Sequence, residues 1–147
     1  HFSDGKISLQ TLYAYSCDDN PIGVDQIEIN DMSVVMRLEN ADTSVLFTGD
    51  LAEKMGEYLA VRGLRLEANL LKVPHHGVDS VAPNSFFKAV NPKAAVVPAP
   101  NWLWKQSRSN RVRAWLKARN IPTYVNGING TINVKIFPNE WLFVPYF

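Results

Sequence analysis

The sequence predicts a layered α/β fold built on a mixed sheet, and three observations lead there. Short apolar runs of period-2 or continuous character recur along the chain, amphipathic segments of helical period sit between them, and the series starts with a hairpin. The 147 residues, 46% hydrophobic and 20% charged, are enough for one domain with its own core. No internal repeat and no domain boundary interrupts them.

Strands are expected at Ile7 to Tyr13, Ser33 to Leu38, Ser44 to Phe47, Asn69 to Val73, Ala94 to Val97, Thr131 to Ile136 and Leu142 to Val144. Asn40-Ala41-Asp42 supplies the short polar turn of the hairpin. The first helix places Leu51, Met55, Tyr58 and Leu59 at i, i+4, i+7 and i+8. Phe86, Phe87 and Val90 line the second helix; Val112, Trp115 and Leu116 line the third. Gly63, Pro92 and Asn120-Ile121-Pro122 end the three in turn. The segment Ser16 to Asp31 reads as a loop, and the apolar tail from Asn139 to Phe147 as a final strand packed on the sheet, with Pro145 suited to an edge.

Composition narrows the chemistry. One cysteine, Cys17, excludes an internal disulfide and a cysteine-based zinc knuckle, so any metal must rest on histidine and carboxylate. No apolar run approaches the roughly 18 residues of a membrane span, and the first ten residues lack the charged start and apolar core of a signal peptide. A start at His1 marks the chain as an expected piece of something longer. The net charge of +1 conceals a skew: no acidic residue lies between Ser80 and Asn139, against nine lysines and arginines there. Such a skew suits a polyanionic partner, or reflects two faces of one fold whose charges cancel.

Two segments carry candidate chemistry. Ser44-Val-Leu-Phe-Thr-Gly-Asp50 is a buried strand that ends on glycine and presents an aspartate. Asp50 has two possible tasks: capping the following helix in a box with Glu53, worth about 1 kcal/mol, or ligating a metal at a strand's carboxyl end. Leu71-Lys-Val-Pro-His75-His76-Gly77 is a second strand running into a tight loop with adjacent histidines. Neighbours on an extended chain point in opposite directions, so one histidine at most is expected to reach a given metal while the other packs or supports it.

In this order, and 26 residues apart, the two motifs resemble the metallo-β-lactamase superfamily, and within it the hydrolase domain of the ComEC family of DNA-uptake proteins. The matching pieces also include Asp31 to Glu39, Phe86 to Val97 and Gly127 to Ile132, so the resemblance runs in register to about Lys135. It implies an αββα sandwich of which this chain is the C-terminal portion. It also implies a two-metal centre, typically zinc with manganese possible, in which Asp50 bridges the metals and His76, with His75 as the other candidate, holds the second. Asp50 and His76 are then the implied catalytic residues. The superfamily's His-x-His-x-Asp-His loop has no counterpart here. Two ligands cannot build a binuclear centre, so the chain alone is expected to be inactive or weak, and its missing N-terminal half, in cis or in trans, becomes the implied partner. The family's His-Pro-His stretch is replaced by Ser107-Arg108-Ser109, and its Gly-Ser step by Gly77-Val78.

For substrate, Trp102, Trp104 and Trp115 interleave with Lys105, Arg108, Arg111, Arg113, Lys117 and Arg119, a mixture that neutralises phosphates and stacks bases. Trp115 also fits the buried stripe of its helix. Trp102, Trp104, Lys105 and Arg108 are therefore the expected substrate contacts, with a nucleic-acid phosphodiester as substrate. The competing reading is a metal-free, degenerate fold that holds nucleic acid or protein on its basic face.

Overall fold

The computed structural model of the protein describes residues 2–3, 7–16, 22, 27–41, 43–137 and 140–146. Seven strands lie side by side in chain order: β1 (Phe2–Ser3), β2 (Ile7–Tyr13), β3 (Val35–Asn40), β4 (Thr43–Phe47), β5 (Leu70–Lys72), β6 (Ala94–Val97) and β7 (Thr123–Val125). The first four are antiparallel and the last four parallel, so the sheet is mixed. The connections dictate the change. A tight turn pairs Asn40 with Thr43 and returns the chain, whereas α1 (Glu53–Val61), α2 (Asn84–Val90), and then α3 (Asn101–Trp104) with α4 (Asn110–Ala118) carry it back between parallel strands.

Alternation along the strands assigns the two faces. Leu46, Leu71, Ala95 and Val97 share one cluster with Met55 and Leu59 of α1, Phe86, Phe87 and Val90 of α2, and Val112, Trp115 and Leu116 of α4. The main core lies there, between sheet and helices. Phe86 and Phe87 are fully buried and meet edge to face at 6.3 Å, each contributing about 2–3 kcal/mol by burial. On the opposite face Val45, Leu70 and Ala94 meet Val134 and Ile136. These come from β8 (Thr131–Phe137), which follows α5 (Asn126–Asn129) and pairs only with β9 (Glu140–Tyr146). The tail is thus a strand, as its apolar run predicts, and its ladder partner is β8 in a separate two-stranded hairpin that packs on the sheet through Val134 and Ile136.

Four other elements escape the sequence patterns. β1, β7, α3 and α5 are two to four residues long, too short for a period to declare itself. The expected loop ends in a 3-10 turn at Ile29–Met32. Cys17 and most of that loop, His1 and Asp42 lie outside the described residues.

Asp31 explains how α1 begins. The helix starts at Glu53 with Ala52 as its N-cap and no side-chain cap of its own. Asp31, fully buried, accepts the Met55 N–H on Oδ1 at 3.0 Å and the Glu28 N–H on Oδ2 at 3.3 Å. A residue 24 positions upstream therefore does the work of a local cap. Asp31→Ala leaves the buried Met55 N–H unpaired and removes the partner of the Glu28 N–H, and is expected to destabilise the fold by about 2 kcal/mol, a loss that urea unfolding followed by circular dichroism would register.

Candidate metal centre

Ligands of parallel α/β sheets gather where strands end at their carboxyl side, and the ends of β4, β5 and β6 meet there. Thr48 just beyond β4 is fully buried and donates its hydroxyl to the Lys72 carbonyl at 2.8 Å, tying the β4 end to the β5 end. Gly49 follows with φ +52°, and a Cβ there would stand 2.9 Å from Ser33 Cβ. Ser33 Oγ in turn accepts the Asp50 N–H at 3.0 Å. These contacts fix the backbone of Asp50 while its carboxylate stays 42% exposed. The capping reading of Asp50 with Glu53 is not realised, since α1 begins two residues later than that box requires.

Beyond β5 the chain turns sharply through Pro74–Gly77. His75 (φ 45°), His76 (φ 56°) and Gly77 (φ 74°) are three successive left-handed residues. For the two histidines that conformation costs about 1–2 kcal/mol each. Here the chain is not extended, so strand alternation does not separate the rings; the left-handed turn does, with centroids 6.3 Å apart and planes 53° askew. His75 Nε2 lies 3.4 Å from the Asn30 side-chain amide, and its Nδ1 is buried without a hydrogen-bond partner. His76 faces the other way. Its Nδ1 lies 2.5 Å from the Pro98 carbonyl, which only accepts, so Nδ1 carries the proton and Nε2 holds the free lone pair. That Nε2 stands 3.9 Å from Asp50 Oδ2, too far for a hydrogen bond and within the span of two donors that each lie about 2 Å from one shared cation.

Lys72 completes the cluster. Its ammonium donates to the Gly49 carbonyl and lies 3.5 Å from Asp50 Oδ1. Burial lowers the Lys72 pKa, and the neighbouring Asp50 charge opposes that shift. Sequence reasoning missed Lys72 and Pro98, although both stand at carboxyl ends of buried parallel strands, which is the signal that could have found them.

Behind the site α3 holds the histidine turn in place. A Cβ on Gly77 would meet Trp104 Cζ3 at 2.7 Å, so the indole lies against that glycine. Trp104 is 6% exposed and belongs to the main core; its expected part as an open substrate contact is corrected to support of the loop. Trp102 is 65% exposed on α3, and Lys105 is exposed just after it. Arg108 is exposed and pairs with Asp79 at 3.3 Å. Both partners of that pair are more than half exposed, so Arg108→Ala is expected to change stability by about 0.5 kcal/mol or less, as equilibrium unfolding would read.

No family model matches the chain. Among curated proteins it is similar to ComE operon protein 3 of Bacillus subtilis (strain 168), 29% identical over 117 residues, or 79% of this chain and 15% of that protein. It is also similar to the uncharacterized protein YcaI of Escherichia coli (strain K12), 29% identical over 85 residues, or 57% of this chain and 11% of the relative. The chain therefore matches a small part of each relative's length.

Proposed function

We propose that this chain is the C-terminal portion of a metallo-β-lactamase-type domain that, when complete, hydrolyses phosphodiester bonds of nucleic acid in a role connected with DNA uptake. One observation carries the reading: His76, its tautomer set by the Pro98 carbonyl, aims Nε2 at Asp50 Oδ2 across 3.9 Å at the carboxyl edge of the sheet. The donor set suits zinc, with manganese as the second candidate. Asp50 and His76 would hold the metal, and the Pro98 carbonyl would orient the imidazole as outer-shell partners do. When bound, a divalent metal supplies a water of lowered pKa as nucleophile. Asp50 brings the charge that attracts it, and Lys72 steadies Asp50 from the Oδ1 side.

Two ligands fall short of the four that zinc takes, and no group of three or more metal-binding side chains occurs among the described residues. The remaining ligands belong, in this reading, to an N-terminal half of the domain, in cis or in trans. The second face of the sheet supports such a partner. Among the described residues, helices cover one face, whereas the other receives the β8–β9 hairpin and leaves Ile7 and Phe47 39% and 38% exposed. An apolar cavity of about 230 Å³ opens there between Val45, Phe47, Leu70, Val96, Val134 and Ile136, the kind of surface that another sheet layer buries. The name of the Bacillus relative agrees with the ComEC resemblance and supports the DNA-uptake setting.

The metal-free alternative has one observation in its favour: the Lys72 ammonium already gives Asp50 a counter-charge. Metal analysis of the complete protein separates the two readings. About two zinc or manganese ions per molecule, with phosphodiesterase activity lost on Asp50→Ala, supports the hydrolase; a folded protein that takes up no metal in millimolar zinc sinks it.

A further inference from the structure

Far from Asp50 in function, the helix layer carries a groove of about 520 Å³ between α2 and α4. Asn84, Ser85 and Lys88 form one wall, and Arg111, Trp115 and Arg119 the other. Its cations are not loose. Arg111 donates to the Asn84 side chain at 2.7 Å and to the Val81 and Ala82 carbonyls at 2.9 and 2.8 Å. The Arg119 guanidinium carbon stands over the Trp115 ring, 4.2 Å from its centroid, with Nη1 at 3.4 Å from the Trp115 carbonyl. Every one of these direct partners is neutral. Glu53 and Asp79 act on Arg111 electrostatically, but among the described residues no carboxylate forms an ion pair with Lys88, Arg111 or Arg119.

Guanidinium groups already held in place lose little freedom on binding an anion. From Arg111 to Arg119 the helix rises roughly 12 Å, a span that reaches past one phosphate of a nucleic-acid strand to the next. Ala114 is the exposed apolar residue on the lining, so a protein partner finds no buried anchor and a bilayer nothing to take in. We propose that the α2–α4 groove is a nucleic-acid backbone site, separate from the candidate metal centre and independent of the hydrolase reading. It lies on the helix side, so a layer covering the opposite sheet face leaves it open.

The test is fluorescence anisotropy of a labelled oligo-dT of about twenty nucleotides, titrated with the protein in EDTA at several salt concentrations. Wild type is expected to bind at low salt, and Lys88→Glu with Arg119→Glu to bind at least about tenfold more weakly, with the log–log salt slope reduced by about 1.4 for two lost contacts. Lys93→Glu, an exposed lysine on the turn before β6, is the control and is expected to shift affinity less than twofold. Should the Arg119 variant fail to fold, Ser85→Glu with Lys88→Glu alters two exposed α2 positions instead. Binding unaffected by the groove variants, or weakened equally by Lys93→Glu, overturns the proposal, as does a wild type that binds nothing. Because EDTA removes metals, a missing metal centre leaves this readout untouched.

Discussion

On the proposed metal-centre reading, His76→Ala is expected to weaken zinc binding by about 100-fold or more, and His75→Ala by less than about tenfold. The asymmetry follows from the turn Pro74–Gly77, where the two rings diverge. His76 alone has a nitrogen directed at Asp50, and its other nitrogen is occupied by the Pro98 carbonyl. A structural zinc site is worth about 10–16 kcal/mol over four ligands, so one ligand stands for about 3 kcal/mol, a factor of roughly 100. His75 touches Asn30 and packs inside the loop, so its loss acts through the turn rather than through a bond to metal. Competition titration against a zinc chelator measures both variants. Equal losses would mean that the turn rearranges to use both histidines, and a larger loss for His75→Ala would reverse the assignment.

Parts of this arrangement are legible in the sequence because local chemistry decides them. Ile7–Tyr13 and Ala94–Val97 appear where their apolar patterns place them, and the three longer helices bury the stripes that their spacing marks. Asp50 shows where local reasoning stops. Its spacing to Glu53 satisfies a capping signature, yet a turn closed by the Leu51 N–H on the Thr48 carbonyl and a bridge between Ala52 and Val81 delay the helix. The cap then comes from Asp31, a contact across 24 residues that no window of sequence contains. The basic second half is likewise only partly available to a ligand. Arg113 donates to the Trp104 carbonyl and the Asn110 side chain, a structural task that composition does not separate from an anion-binding one. Lys72 and the Pro98 carbonyl matter because of what parallel pairing sets beside them, Gly49 on one side and His76 on the other.

Gly127→Ala is expected to cost about 3 kcal/mol, although the substitution adds one methyl group. No unusual backbone angle is at issue. A Cβ at 127 would fall 2.0 Å from the Asn101 nitrogen and 2.4 Å from the Pro100 carbonyl carbon, and backbone cannot swing aside as a side chain can. The Gly127 N–H also donates to the Ala99 carbonyl at 2.9 Å, so α5 is docked on the segment that follows β6. Relief requires α5 and residues 98–101 to part, at the upper end of the usual cost of overpacking. For a domain of this size that loss lowers the melting temperature by about 6–12 °C. Gly63→Ala is the contrast: φ there is +68° but no atom lies within 4 Å of a new Cβ, so only the conformational cost of about 1 kcal/mol remains. Thermal denaturation ranks the two variants, and a Gly127→Ala protein as stable as Gly63→Ala would show that α5 is not seated as described. The same displacement carries the Pro98 carbonyl away from His76 Nδ1, so the Nδ1–H resonance is expected to shift or exchange faster in Gly127→Ala while Gly63→Ala leaves it in place.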